Sequence, residues 1–508
     1  MSGNFARNSV YATITGLSIT LGNFLGSVII AHQLGVEGTG AVAYALWLVT
    51  TVVVIADLGI AISLARYLPE LKARGEEQEG RRLAAFLLGP FALSGIMVPA
   101  VVMPLIAFFL RESALGEAGS SSTTTWWLTA LCCVMQALAS FSLAYLQGMQ
   151  KFRQAALLSV ASLVVLLGAI TTGCVAFGVD GAIGSYIAAN AVLAVVCLGV
   201  VSRERRVSPA LRMRVLKYAR YNWATAIVVA FVYSRLELFF LRQFQGSEAV
   251  ALFSVGLTLS SLATQGPLLL TRGTFYYFAE QLGKADEARL HQAFTIGTRF
   301  IAFLVFPTCL GAAAIMPRLL PLIYGPSFAN AVPAASILVC SAGLVASGTM
   351  ISNLLLALER NAFILWNGII GAVFATIFGI TLIPAFGILG AAYGRAIVQF
   401  ALSCSGLWYV TNVLRIPVPF DGLGRLLAAA LLCAAVARVC ILGLTGPEAL
   451  PLAILAGGTS YLFGVRMLKA LPTSDVERLQ AWMHMLPAVF SMIMLAMIRV
   501  VFGYRTDL

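Results

Sequence analysis

Apolar runs of about 20 residues recur along the chain from Thr13 to Phe463, parted by short polar turns, and each is long enough to cross a bilayer as a helix. The runs fall near 10–34, 40–67, 83–109, 125–147, 155–177, 182–201, 219–243, 249–275, 296–317, 333–357, 361–384, 388–410, 425–445 and 448–466. None alternates apolar and polar positions as a transmembrane barrel strand does, and in lipid a continuous apolar run satisfies its backbone groups only as a helix. The pattern predicts an all-α polytopic membrane protein of about fourteen transmembrane helices. Beyond the last run, TSDVERLQAWMHML (473–486) reads as amphipathic. PAVFSMIMLAMIRVVFG (487–503), short and broken by Arg499, reads as an interfacial or re-entrant segment.

Composition agrees, since 60% of the 508 residues are hydrophobic and 11% are charged. MSGNFARNSV leads into a full-length span rather than a short apolar region with a cleavage site, so the first helix is expected to remain. All nine cysteines fall inside predicted spans, where they serve as small packing residues and indicate neither disulfides nor metal.

Charge sets the orientation. Arg66, Arg235, Arg395 and Arg438 lie inside spans and Arg111, Arg242 and Arg318 on one face; every other Lys and Arg falls at the termini or on the opposite face. The positive-inside rule therefore predicts cytoplasmic termini, and the net charge of +12 calls for no nucleic acid. The basic stretch 203–220 reads as a topogenic linker. Loops on the other side are short, there is no Walker loop or H-E-x-x-H, and His is limited to His32, His291 and His484. These absences argue against an ATP-driven pump, a glycosyltransferase and a polymerase: a transporter is expected, not an enzyme.

The chain also repeats itself. FGVDGA (177–182) recurs as FGILGA (386–391), LQGMQKFRQAA (146–156) faces LALERNAFILW (356–366), RYLPELKARGEE (66–77) faces YYFAEQLGKADE (276–287), and ARN (6–8) faces ARYN (219–222). Shifts of 209 to 214 that land on equivalent span ends indicate a duplication of six helices. The division this predicts is an N-lobe over 1–201, a linker over 202–218, a C-lobe over 219–412, two further helices over 413–466 and a tail over 467–508. Parallel repeats of this kind place a substrate site in a cleft between lobes and use alternating access.

The order and spacing of LGVEGTGAVAYALWL (34–48), IADLGIAISLARYLPEL (55–71), LQGMQKFRQAALLSV (146–160), YSRLELFFLRQFQGSEAVALFSV (233–255) and the paired FGxxGA turns resemble the polysaccharide transporter (oligosaccharide flippase, Wzx-like) family of the MOP superfamily. The resemblance covers roughly residues 5–415. It implies a V-shaped bacterial inner-membrane flippase that moves an undecaprenyl-pyrophosphate-linked oligosaccharide to the outer leaflet for surface or exopolysaccharide assembly. Lipid II or other polyprenyl-linked glycolipid flippases and MATE-like cation-coupled drug exporters share the superfamily and stand as alternatives. Implied partners are the lipid-linked oligosaccharide, membrane lipids, and a polysaccharide polymerase with its chain-length proteins. No cofactor is expected; the energy source is left to a substrate gradient or to H+ or Na+ coupling.

An arginine at mid-span costs about 2.5 to 3.5 kcal/mol on insertion scales, so it persists where it meets water, a counter-charge or a substrate. Arg235 and Arg395, each roughly 10 to 12 Å deep at 1.5 Å per residue, are assigned to the cleft as ligands of the pyrophosphate, for which a guanidinium fork is suited. The first-lobe counterpart of Arg395 is Tyr186. Arg66 and Arg272, near cytoplasmic span ends, are expected to receive the headgroup. Asn23, Asn222, Tyr233 and Gln399 are candidates for sugar hydroxyls. Asp57, in IADLGIA, and Glu237 are the candidates for a coupling ion, while Arg242 reads as an end-of-helix anchor.

Overall fold

The structure, a computed structural model, describes residues 2–109, 122–201, 207–233, 236–271, 274, 278, 281–282, 286–444, 446 and 448–472. Arg235, Arg272 and the tail 473–508 lie outside the described residues, as does the side chain of Tyr233. The described residues contain no strand. Their helices are α1 (Ser2–Ala56), α2 (Ile60–Ala73), α3 (Glu77–Phe109), α4 (Ser122–Gly148), α5 (Phe152–Val201), α6 (Pro209–Tyr233), α7 (Glu237–Leu270), α8 (Glu287–Tyr324), α9 (Val332–Ser347), α10 (Thr349–Ala357), α11 (Asn361–Trp408), α12 (Phe420–Gly443) and α13 (Ala449–Met467). A 3-10 segment, Pro326–Ala331, joins α8 to α9.

Ten stretches among the described residues are long and apolar enough to cross a membrane. Three of these, of 47, 49 and 52 residues, are long enough for two crossings, each of which takes about 20 residues. Each contains a glycine with non-helical torsions: Gly35 in α1, Gly178 in α5 and Gly387 in α11. At Gly178 the chain folds back on itself, because the Ser162 hydroxyl donates to the Ala189 carbonyl over 2.8 Å. In a straight helix those two residues would stand roughly 40 Å apart. The expected loop at 178–181 is thus a reversal at one residue, which needs positive φ and so a glycine.

The duplication has a conformational signature. Gly178 has φ 57 and ψ −130, and Gly387 has φ 55 and ψ −131. Gly35 (φ 65, ψ −164) and Gly246 (φ 80, ψ −168) form a second pair that the motif comparison missed. At the opposite span ends, Gln150 and Glu359 both have φ 56. They close matching helix caps, with Lys151 N donating to Leu146 O at 2.8 Å and Arg360 N to Leu355 O at 2.9 Å. Identical backbone solutions at shifts of 209 and 211 are what copied segments retain after their side chains diverge.

The chain divides into two compact units, Met1–Ser254 and Val255–Leu508. In the first, α1 and α4 pack along α5, and α2 and α3 lean on α4. In the second, α8 contacts α9 and the α12–α13 pair, while α11 lies on α9. Small residues permit the approach, as lipid supplies no hydrophobic drive between helices. An added Cβ at Gly40 would overlap the Ser247 carbonyl, and one at Gly390 the Leu382 carbonyl. Ser and Thr hydroxyls turn inward on their own helices, as in Thr15 to Tyr11 O (3.0 Å) and Thr298 to Phe294 O (2.7 Å), which satisfies them without water. Large apolar side chains such as Val175, Leu198 and Val439 are exposed on the outside, as a lipid-facing surface requires.

Candidate functional site

The run expected as one span over 40–67 is broken. α1 ends at Ala56 and α2 starts at Ile60, with Leu58 (φ 52) and Gly59 (φ 70) in the left-handed region between them. Irregular backbone at membrane depth is tolerated only where protein buries it or it lines a cavity. Here neighbouring helices satisfy it. Ser94 of α3 donates to Ala56 O at 2.6 Å, the Trp223 indole of α6 donates to Ile55 O at 2.9 Å, and Ser63 donates to Gly59 O at 2.7 Å. A Cβ on Gly59 would overlap the Ala219 carbonyl, so α6 sits directly on the break. Asp57 lies in the break itself, its carboxylate accepting from Ala61 N at 3.4 Å.

Two to four turns along α2 from the break, α2 and α6 share a basic and aromatic cluster. The Arg66 guanidinium lies 4.5 Å from the Tyr218 ring centre and 5.7 Å from that of Tyr67, and the two rings meet edge to face at 5.6 Å. Arg214 lies 5.2 Å from the Tyr67 ring centre and reaches Glu70 at 3.1 Å; Arg74 reaches the same carboxylate at 2.6 Å. Three guanidinium groups therefore gather around one carboxylate and two phenol rings, which leaves an excess of positive charge. Aromatic faces hold a guanidinium by its plane without neutralising it, so its edge N–H groups remain available to an anion. Asn222 stands one turn beyond Tyr218, its amide donating to the Tyr218 carbonyl at 2.9 Å. The structure thus places Asp57, Arg66 and Asn222 around one broken helix.

The other expected residues of the first unit lie apart from this cluster. Asn23 is exposed on α1. Glu237 is buried at the first residue of α7, where a carboxylate suits the helix dipole. Arg242 is also buried. The bend at Gly246 brings this part of α7 against α1, with Phe239 and Trp47 ring centres 6.3 Å apart and Ser247 donating to Glu37 O at 3.1 Å.

In the second unit, Arg395 and Gln399 lie four residues apart on the second arm of α11 and share a face. Both are half-buried, and the Gln399 side-chain oxygen is enclosed with no hydrogen-bond partner. Tyr186, equally placed after Gly178, is instead buried against Gly26, its hydroxyl 3.1 Å from where a Cβ on that glycine would lie. Sequence reasoning missed Asn353. Its amide donates to the Thr274 hydroxyl at 2.7 Å and to Thr271 O at 3.4 Å, bracing a turn where Thr274 N donates to Thr271 O at 3.0 Å. That turn is the counterpart, at a shift of 214, of Ile60 N to Asp57 O at 2.9 Å. Carrying Asp57 forward by the ARN shift leads to Thr271, and only the fold brings Asn353 to it.

The profile of the family described as "Polysaccharide biosynthesis protein" matches residues 29–333. The chain belongs to this family. The match includes the α1–α2 break and the Arg66 cluster and stops short of Arg395. Among curated relatives, "Probable flippase AglR" of Haloferax volcanii is 26% identical over 335 residues, covering 64% of this chain and 68% of that protein. Two solved structures share the fold. A lipid II flippase MurJ in an inward closed conformation aligns with a TM-score of 0.71 at 14% identity, over 90% of this chain and 98% of that one. An inward-facing MATE-family multidrug resistance transporter of the MOP superfamily aligns with a TM-score of 0.62 at 17% identity, over 78% and 95%. This member of the polysaccharide biosynthesis family is accordingly a multi-pass membrane protein with the MOP fold.

Proposed function

We propose that the protein carries an undecaprenyl-pyrophosphate-linked oligosaccharide repeat unit from the cytoplasmic to the outer leaflet of a bacterial inner membrane, by alternating access, with both termini cytoplasmic. The observation that supports this most is the Arg66, Arg214 and Arg74 cluster beside a broken helix within the family-matched region. Discontinuous membrane helices are where transporters of parallel or inverted repeat build their substrate sites, and the bidentate guanidinium fork fits a phosphate. In this reading Arg66 and Arg272 take up the arriving pyrophosphate, and Arg235 and Arg395 hold it during passage. Asn23, Asn222, Tyr233 and Gln399 serve the glycan hydroxyls. Asp57 is the carrier of H+ or Na+, with Glu237 as a second. The polysaccharide polymerase and chain-length proteins act on the delivered unit. An arginine-rich path would repel the amphipathic cations a drug exporter moves.

Complementation of a deletion strain tests the reading. Arg66→Ala, Arg235→Ala and Arg395→Ala variants are expected to insert normally, to lose surface polysaccharide, and to accumulate undecaprenyl-linked repeat units on the cytoplasmic leaflet. Full surface polysaccharide from all three would overturn it.

A further inference from the structure

The seam between α4 and α5 opens, at the span ends that carry Lys151, into a cavity of about 420 Å³. Its walls include Leu146, Leu157, Leu158 and Val196, and Lys151 and Gln154 complete them. Leu157 is 59% exposed, so the cavity lies on the lipid-facing side of the first unit. Lys151 is held by the left-handed Gln150 turn, through its N–H bond to Leu146 O, while Lys72 Nζ donates to the adjacent Met149 carbonyl at 2.9 Å. Among the described residues Lys151 makes no ion pair, and residues 146–160 contain no acid. The other end of the same seam holds a cavity of about 480 Å³ lined by Thr124, Asp180 and Ser185, with no cation. Among the described lining residues, positive charge is therefore confined to one end.

An apolar slot under a lysine at a span end matches a lipid, whose chain fills the slot while its headgroup meets the cation. Its volume falls in the roughly 300–1,000 Å³ range of bound small molecules. We propose that this cavity binds an anionic glycerophospholipid, with its phosphate on Lys151 and one acyl chain along Leu157, Leu158 and Val196. The site is separate from the Arg66 cluster and does not depend on the transported substrate.

Quenching by brominated lipid tests it. The full-length protein carrying Leu157→Trp is reconstituted in phosphatidylcholine vesicles with a minor fraction of lipid brominated on its acyl chains, either phosphatidylglycerol or phosphatidylcholine. Native tryptophan signal is subtracted using the unsubstituted protein. Brominated phosphatidylglycerol is expected to quench the introduced indole roughly fivefold more than the same fraction of brominated phosphatidylcholine, the weight of one lysine near an anionic headgroup. Lys151→Gln should bring the two lipids to parity, and Lys151→Arg should keep the preference. Equal quenching by both lipids in the parent, or a preference that survives neutralisation, would overturn the proposal.

Discussion

The indole nitrogen of Trp223 donates to the carbonyl oxygen of Ile55 over 2.9 Å, tying α6 to the last turn of α1 where that helix comes apart. Removing this donor leaves a carbonyl at a helix end in an apolar setting. Trp223→Phe should lower stability by about 1 kcal/mol or somewhat more and reduce flipping, read as a fall in Tm in detergent and in complementation. An unchanged Tm would mean that the bond does not hold the break.

Gly59 and Gly75 both have positive φ, 70 and 79, but their surroundings differ. A Cβ on Gly59 would overlap Ala219 O, whereas nothing lies within 4 Å of one on Gly75. Gly75→Ala should cost only the left-handed conformation, about 1–2 kcal/mol, and Gly59→Ala distinctly more because α6 must also move. Thermal unfolding of the pair decides this; equal losses would remove the close approach as an explanation.

The hairpin contacts make a parallel contrast. Gly181→Ala would drive a methyl into the Gly173 carbonyl and Gly390→Ala into that of Leu382, while Gly184 has open space. The first two should sharply reduce the amount of folded protein. Gly184→Ala should be neutral or stabilising, by up to about 1 kcal/mol, because Ala is the better helix former. Size-exclusion profiles of the three variants provide the comparison.

On the proposed function, Arg66 should separate stability from transport. It is exposed and rests on Tyr218 at 4.5 Å, so Arg66→Ala should shift stability by no more than about 1 kcal/mol while abolishing flipping. Arg66→Lys keeps the charge but loses the planar fork, and should give partial transport. Wild-type transport by the alanine variant would take Arg66 out of the substrate path.

Most of the fold was legible because lipid permits one solution to a long apolar run, and FGVDGA against FGILGA already pointed to the Gly178 and Gly387 reversals. The Gly35 and Gly246 pair was not, since one lies in LGVEG and the other in FQGSE and only their torsions agree. The break at Asp57–Gly59 was hidden for a related reason. Hydropathy is continuous across it, and the groups that pin it, Ser94 and Trp223, come from distant helices. The Arg66 cluster was half visible: its arginine was noted as a span-end charge, but only folding brings Tyr218 and Arg214 of α6 to it.

Gly178 and Gly387 reverse the chain with no loop between the arms. A joint without a loop leaves the two arms of each pair no freedom to slide past one another, so each pair is held as one two-helix unit whose register a single residue sets.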